Sequence, residues 1–206
     1  MKNILIIGSG IVGICTGIEL IRRGYSVTLM DPNQPGSQTS YGNAGVITDS
    51  SLIVINNPQL RKSLFQLIFK KQTSFRYSKF FILLRLSWIL RFLIFSHKNH
   101  MEFAAKALRE LQVLSLKTHQ ELIKKTNSKN NISKPGWLKL FKTINSYKKY
   151  YLELDVLNKN KAEYTILDTE QIKKQFPDLE ESFFKSVLFK NSLRVKSPLA
   201  LSKKYF

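Results

Sequence analysis

The chain is 206 residues long, enough for one sizeable core or for one domain and part of another. A hydrophobic content of 43% excludes wholesale disorder, and a single cysteine, Cys15, excludes an intrachain disulfide. The net charge of +19 falls wholly beyond residue 50 and is carried mostly by lysine scattered in ones and twos; nucleic-acid sites favour arginine and a concentrated basic face, so no nucleic-acid partner is expected.

The first predicted element is the apolar run Ile4-Leu5-Ile6-Ile7, a strand. Gly8-Ser9-Gly10-Ile11-Val12-Gly13 follows and opens a helix that ends at Gly24; Ser26-Val27-Thr28-Leu29-Met30 is a second strand, closed by Asp31. Strand, glycine turn, helix, strand and acid in this order form a dinucleotide-binding fingerprint. Gly8 permits a tight exit, Gly10 admits a pyrophosphate close to the backbone, and Gly13 lets the helix pack hard on the sheet. The free N–H groups and partial positive charge of the helix N-terminus face the phosphates. Asp31, 18 residues beyond Gly13, stands where a carboxylate accepts hydrogen bonds from a ribose. Cys15 falls inside the helix and reads as a small buried residue. The fingerprint starts almost at Met1, which leaves no room for a secretory leader and points to the cytoplasm.

Residues 31–38 are rich in turn formers and read as a loop. Thr39-Ser40-Tyr41-Gly42-Asn43-Ala44-Gly45 is small and polar, suited to a backbone that lies close to a ligand. Residues 79–96 are the most apolar stretch; Phe81, Leu84, Trp88 and Phe92 recur at helical spacing, which predicts a core helix. Shallow membrane attachment is the second choice there, because Arg85 and Arg91 argue against a transmembrane span. A long amphipathic helix is predicted over 101–126, with Leu108, Leu111, Leu114 or Leu116, and Leu122 on its apolar side. His97, His100 and His119 lack metal-ligand spacing and read as surface or packing residues. Residues 127–135 read as a polar linker, 136–141 as a strand, 147–158 as a helix and 164–167 as a strand. Asp168 with Gln171 resembles a capping box for a short helix ending near Pro177.

The glycine fingerprint, Asp31 and the Ser40-x-x-Asn43-Ala44-Gly45 element together resemble the opening of the FAD-dependent D-amino-acid dehydrogenases (small subunit) and the glycine oxidase-like family. The Trp88 helix with Arg91-Phe92, the strand at 136–141 and the strand-helix pair from Leu167 to Pro177 agree with it. The resemblance implies an α/β fold: a Rossmann-like FAD/NAD(P)-binding domain of D-amino-acid-oxidase type with part of an α+β substrate domain. Residues 1–50 would be the FAD-binding βαβ start, and 51–206 the helical segment and partial substrate domain. Gly8, Ser9, Gly10, Ile11 and Gly13 would hold the FAD pyrophosphate, and Asp31 the adenosine ribose. Thr39, Ser40, Asn43, Ala44, Gly45 and Val46 would wrap the phosphate and flavin side. The implied reaction is oxidation of a D-amino acid to a 2-oxo acid and ammonia, with electrons passed to a quinone pool at the inner face of the membrane. No catalytic residue and no metal is assigned.

Members of that family run to about twice this length, so the resemblance is to the N-terminal half, and the tail beyond Arg194 fits the pattern poorly. A half-finished parallel sheet leaves an exposed edge and an uncovered apolar face. Two other readings therefore stay open at this point. One is a non-catalytic cofactor-binding protein that works with a complementing chain. The other is an NAD-dependent dehydrogenase, because Asp31 suits either cofactor.

Overall fold

A computed structural model of the chain describes residues 2–60, 78–133 and 136–206. The first unit is β1 (Asn3–Ile7), α1 (Ile11–Arg22) and β2 (Ser26–Met30), as the sequence predicts. The two strands are parallel, with Ile4 opposite Val27 and Ile6 opposite Leu29, a pairing that needs a crossover helix. One face of the pair packs on α1, where Gly17 lets Ile6, Val27 and Leu29 come close. The opposite face carries Leu5, Ile7 and Met30 to solvent, and Ile7 is 85% exposed. Parallel sheets are ordinarily covered on both sides, so the expected uncovered apolar face is a feature of the structure.

The chain continues through β3 (Val46–Ile47), α2 (Lys79–Leu84), α3 (Leu86–Ile94) and α4 (Lys98–Lys125). Next come β4 (Ile132–Ser133), β5 (Trp137–Phe141), α5 (Ile144–Lys148) and α6 (Tyr151–Lys159). The last elements are β6 (Thr165–Asp168), α7 (Thr169–Gln175), β7 (Lys185–Phe189), β8 (Leu193–Val195) and α8 (Pro198–Tyr205). Two antiparallel sheets result, in the orders β3-β8-β4 and β5-β7-β6.

Two main cores organise these elements. One joins Ile14 of α1 to Leu116, Leu122 and Ile123 of α4, Leu193 and Val195 of β8, and Leu201 and Tyr205 of α8. The other gathers Met101 and Ala105 of α4 with Leu52, Phe141, Val156, Leu157, Val187 and Phe189. Helix α4 has 28 residues, about 42 Å at 1.5 Å per residue, and reaches from one core to the other. A third, small cluster of Leu167, Ile172 and Leu188 sits under α7.

Several local expectations need correction. The stretch 79–96 is not a core helix: it breaks at Arg85, no side chain of α3 is buried, and Trp88 is 59% exposed. Its apolar residues run around the helix instead of forming one stripe. The side chain of Phe81 lies outside the described residues. In α4 the face that turns inward uses Leu116, while Leu111 and Leu114 point to water. Residues 147–158 divide into α5 and α6, because Thr143 and Ser146 cap a separate short helix. The polar stretch after α4 contains β4, which pairs with β8; Lys134 and Pro135 lie outside the described residues. The Asp168 capping box is present: its Oδ1 accepts from Gln171 N–H at 2.8 Å, and its own N–H donates to Gln171 Oε1 at 3.0 Å.

Candidate nucleotide-binding site

The glycine turn is fixed by the backbone before any side chain acts. Gly8 N–H donates to Met30 O at 2.8 Å and Gly36 N–H to Ser9 O at 2.9 Å, which ties the turn to the end of β2 and the loop beyond it. Gly13 fills the role assigned to it. A Cβ there would run into the Gly8 carbonyl oxygen, so only glycine lets α1 approach the turn this closely.

Asp31 is drawn into the same turn. Its Oδ2 accepts from Ser9 N–H and its Oδ1 from Asn33 N–H, both at 2.8 Å. These bonds, the Ser9 bond foremost, hold the carboxyl below its usual value, so Asp31 is an anion at neutral pH. A carboxylate has about four acceptor positions, so two stay open for ribose hydroxyls.

Ser9 itself is only 3% exposed, and its side chain lies beside the Asp31 carboxylate and helps to hold it ionised. This buried hydroxyl lies in the turn that a pyrophosphate would approach. The adjoining end of α1 is receptive to the same charge. Gly10 as N-cap supplies no side-chain bond, and the first turn contains no acid to offset its partial positive charge. Ser40 Oγ accepts from Ile11 N–H at 3.0 Å and thereby anchors the following loop to the helix start.

That loop is held in shape by Asn43. Its Nδ2 donates to Ser40 O at 3.2 Å and its Oδ1 accepts from Gly45 N–H at 2.7 Å. Gly45 adopts φ +66° and lies so close to the Val195 carbonyl that a Cβ would collide with it. Val195 N–H in turn donates to Gly45 O at 2.6 Å, and Val46 pairs with Arg194 in the sheet. The segment at 40–46 is therefore stitched between α1 and β8.

A cavity of about 270 Å³ opens there, with Ile11, Ser40, Asn43, Ala44, Gly45 and Val46 in its lining. It is enough for part of a dinucleotide. Gly8, Ser9, Gly13 and Asp31 form the adjoining turn, and Thr39 is exposed in the loop between. The cavity is also lined by His119, Val195, Leu201 and Ser202, which sequence reasoning missed. His119 is held neutral by burial, with its Nδ1 3.2 Å from Tyr205 Oη and the two rings stacked. His97 instead caps α4, its Nδ1 accepting from His100 N–H at 3.3 Å. Cys15 packs beside Ile14, and burial raises its thiol above the usual value, which keeps it protonated.

The sequence model described as DAO, FAD dependent oxidoreductase, matches residues 3–206. The chain belongs to this family. A D-amino-acid oxidase of Bradyrhizobium diazoefficiens is 25% identical over 200 residues, covering 96% of this chain and 47% of the relative. A D-amino acid dehydrogenase of Helicobacter pylori is 23% identical over 194 residues, covering 94% of this chain and 46% of the relative. Among solved structures, glycine oxidase from Geobacillus kaustophilus superposes with a TM-score of 0.63 at 16% identity, over 100% of this chain and 44% of that one. The sequence resemblance, its fold class and its N-terminal character are thus all supported. The chain spans about half the length of the curated relatives it matches. Among the described residues no helix is long and apolar enough to cross a membrane, and no His, Cys, Asp or Glu cluster could hold a metal ion.

Proposed function

We propose that this chain supplies the dinucleotide cradle of an FAD-dependent oxidoreductase acting on D-amino acids. One observation carries the reading: the glycine turn is tied through Ser9 N–H to ionised Asp31 and opens α1, whose N-cap Gly10 supplies no side-chain bond and whose first turn has no acid. In this assignment Gly8, Ser9, Gly10, Ile11 and Gly13 hold the pyrophosphate. Asp31 takes the adenosine ribose through its two open acceptor positions, while Thr39, Ser40, Asn43, Ala44, Gly45 and Val46 enclose the phosphate and flavin side. Bound FAD would accept hydride from Cα of the amino acid, and water would convert the resulting imine to a 2-oxo acid and ammonia. The chain's own contribution is orientation: Ser40 and Asn43 fix the loop, and β8 backs it.

Residues 1–50 open the FAD-binding part on this reading, and 51–206 carry the helical segment and part of a substrate domain. The electron acceptor is a quinone-type carrier, which puts the protein on the cytoplasmic side, peripheral to the inner face of the membrane. A second reading, a cofactor-binding component that needs a complementing chain, is favoured by the uncovered face of β1 and β2. NAD would use Asp31 in the same way, but family membership favours FAD.

The test is to purify the protein with its natural neighbours and follow flavin absorbance. Retained flavin that bleaches when a D-amino acid is added supports the enzyme. Retained flavin without bleaching supports the cofactor-binding component, and a folded protein without flavin contradicts both.

A further inference from the structure

No acidic residue occurs between Asp49 and Glu102, while the 52 intervening positions carry nine Lys and Arg. Helices α2 and α3 lie inside this acid-free stretch and expose a run of large apolar side chains, with Leu84, Leu86, Trp88, Leu90 and Ile94, and Phe95 just beyond, all facing solvent. Arg85 stands exposed at the break between the helices, Arg91 on α3 and Lys98 at the start of α4. Glu102, the nearest acid in sequence, lies 3.9 Å from Lys98 but only 2.8 Å from Lys159, so it offsets little of this charge.

We infer that α2 and α3 form a docking surface that lies in the plane of an anionic lipid bilayer. The inference builds on the peripheral location proposed above, though not on cofactor binding. At 1.5 Å per residue the helices are about 9 and 14 Å long, too short for a hydrocarbon core of about 30 Å. Arg85 and Arg91 recur inside the apolar stretch, which keeps it at the headgroup level, where arginine stems can lie along the acyl boundary and their charges can reach phosphate. Trp88, stacked on Phe92 at 5.2 Å, is the type of residue that settles at that boundary. An apolar helix pair that carries Arg85 and Arg91 and no acid of its own is complementary to a surface that is apolar beneath and anionic above. A polypeptide cover over the same helices is the competing occupant.

The test uses the full 206-residue chain and vesicles of phosphatidylcholine with or without phosphatidylserine. Sedimentation is expected to give binding at least about tenfold tighter to the serine-containing vesicles, weakened by salt. Trp137→Phe leaves Trp88 as the sole tryptophan, and its emission is expected to shift to the blue and to be quenched by brominated acyl chains. Leu90→Glu with Trp88→Glu should lower vesicle binding at least about tenfold with an unchanged circular dichroism spectrum. This pair keeps Trp137, so the test survives if Trp137→Phe fails to fold. Arg85→Gln with Arg91→Gln should weaken only the preference for phosphatidylserine. A folded chain that binds neither vesicle overturns the inference. So does binding without quenching of Trp88, or a co-purifying polypeptide that shields Trp88 from an aqueous quencher. None of these readouts involves flavin, so the result is independent of the cofactor titration.

Discussion

Gly13 and Gly10 occupy neighbouring positions in one motif, yet the structure assigns them different tasks that two alanine substitutions separate. In Gly13→Ala the new Cβ collides with the Gly8 carbonyl oxygen, and it also lies 3.1 Å from Gly8 C and 3.6 Å from Ile6 Cγ2. The first obstacle is backbone in a hydrogen-bonded turn, so α1 itself has to move away from β1. Overpacking of this kind costs about 1–3 kcal/mol. For a chain of this size that corresponds to a fall in Tm of about 2–12 °C. Gly10→Ala meets only Ser40 Oγ, at 3.4 Å, and its backbone at φ −70° and ψ 176° is ordinary for alanine. The loss of glycine at the N-cap, about 0.5–1 kcal/mol, is offset by a similar gain from a stiffer unfolded chain. Its Tm should stay within about 2 °C of the parent. Its Cβ, however, enters the space between α1 and the loop that a pyrophosphate would use, so FAD affinity should drop at least about tenfold, or 1.4 kcal/mol. Differential scanning calorimetry and FAD titration of both variants check the pair. Equal Tm values for Gly13→Ala and the parent, or full FAD affinity in Gly10→Ala, would refute the reasoning.

Other outcomes follow from individual contacts. The Asp31 carboxyl is lowered from 3.8 by its hydrogen bonds from Ser9 and Asn33, so its contribution to stability is complete above that value and fades as pH falls through the lower folded value. Asp31→Asn should therefore have the lower urea midpoint at neutral pH, and the two midpoints should converge in strong acid. Arg109 bridges the buried Asp49, with Nη1 2.7 Å from Oδ2 and also 2.6 Å from the Asp49 carbonyl oxygen. Arg109→Met should cost about 3 kcal/mol by urea denaturation, and much of that should return when Asp49→Asn is added. Ile7→Lys lies on the uncovered sheet face, so it should change stability by no more than about 0.5 kcal/mol and reduce aggregation in light scattering. A large loss of stability would mean that this face is already packed.

What was legible in the sequence was local. The β1–α1–β2 unit follows from an apolar run, three glycines at fixed offsets and an acid, all within 31 residues. The Asp168 capping box rests on a spacing of three residues and is equally self-contained. What was missed depends on distant partners. β3 and β4 have two residues each and are strands only because β8 lies between them. The expectation that the tail beyond Arg194 departs from the family pattern is overturned: the family match runs through residue 206, and α8 packs through Leu201 and Tyr205 into the core that holds Ile14. No sequence signal links His119 to the cavity, since it gets there through the long reach of α4. The error over 79–96 has a different origin. Hydropathy reports how apolar a segment is, while burial depends on a facing partner, and α3 has its apolar residues on nearly all sides.

The measurement that bears most directly on the cradle is an equilibrium titration of the folded chain with FAD, with NAD and ADP run in parallel. Saturable FAD binding, competed by ADP, little changed by NAD and weakened in Ser9→Ala and Ser40→Ala, is the predicted result. A chain with native circular dichroism that binds no FAD, or that binds NAD in its place, would contradict the account.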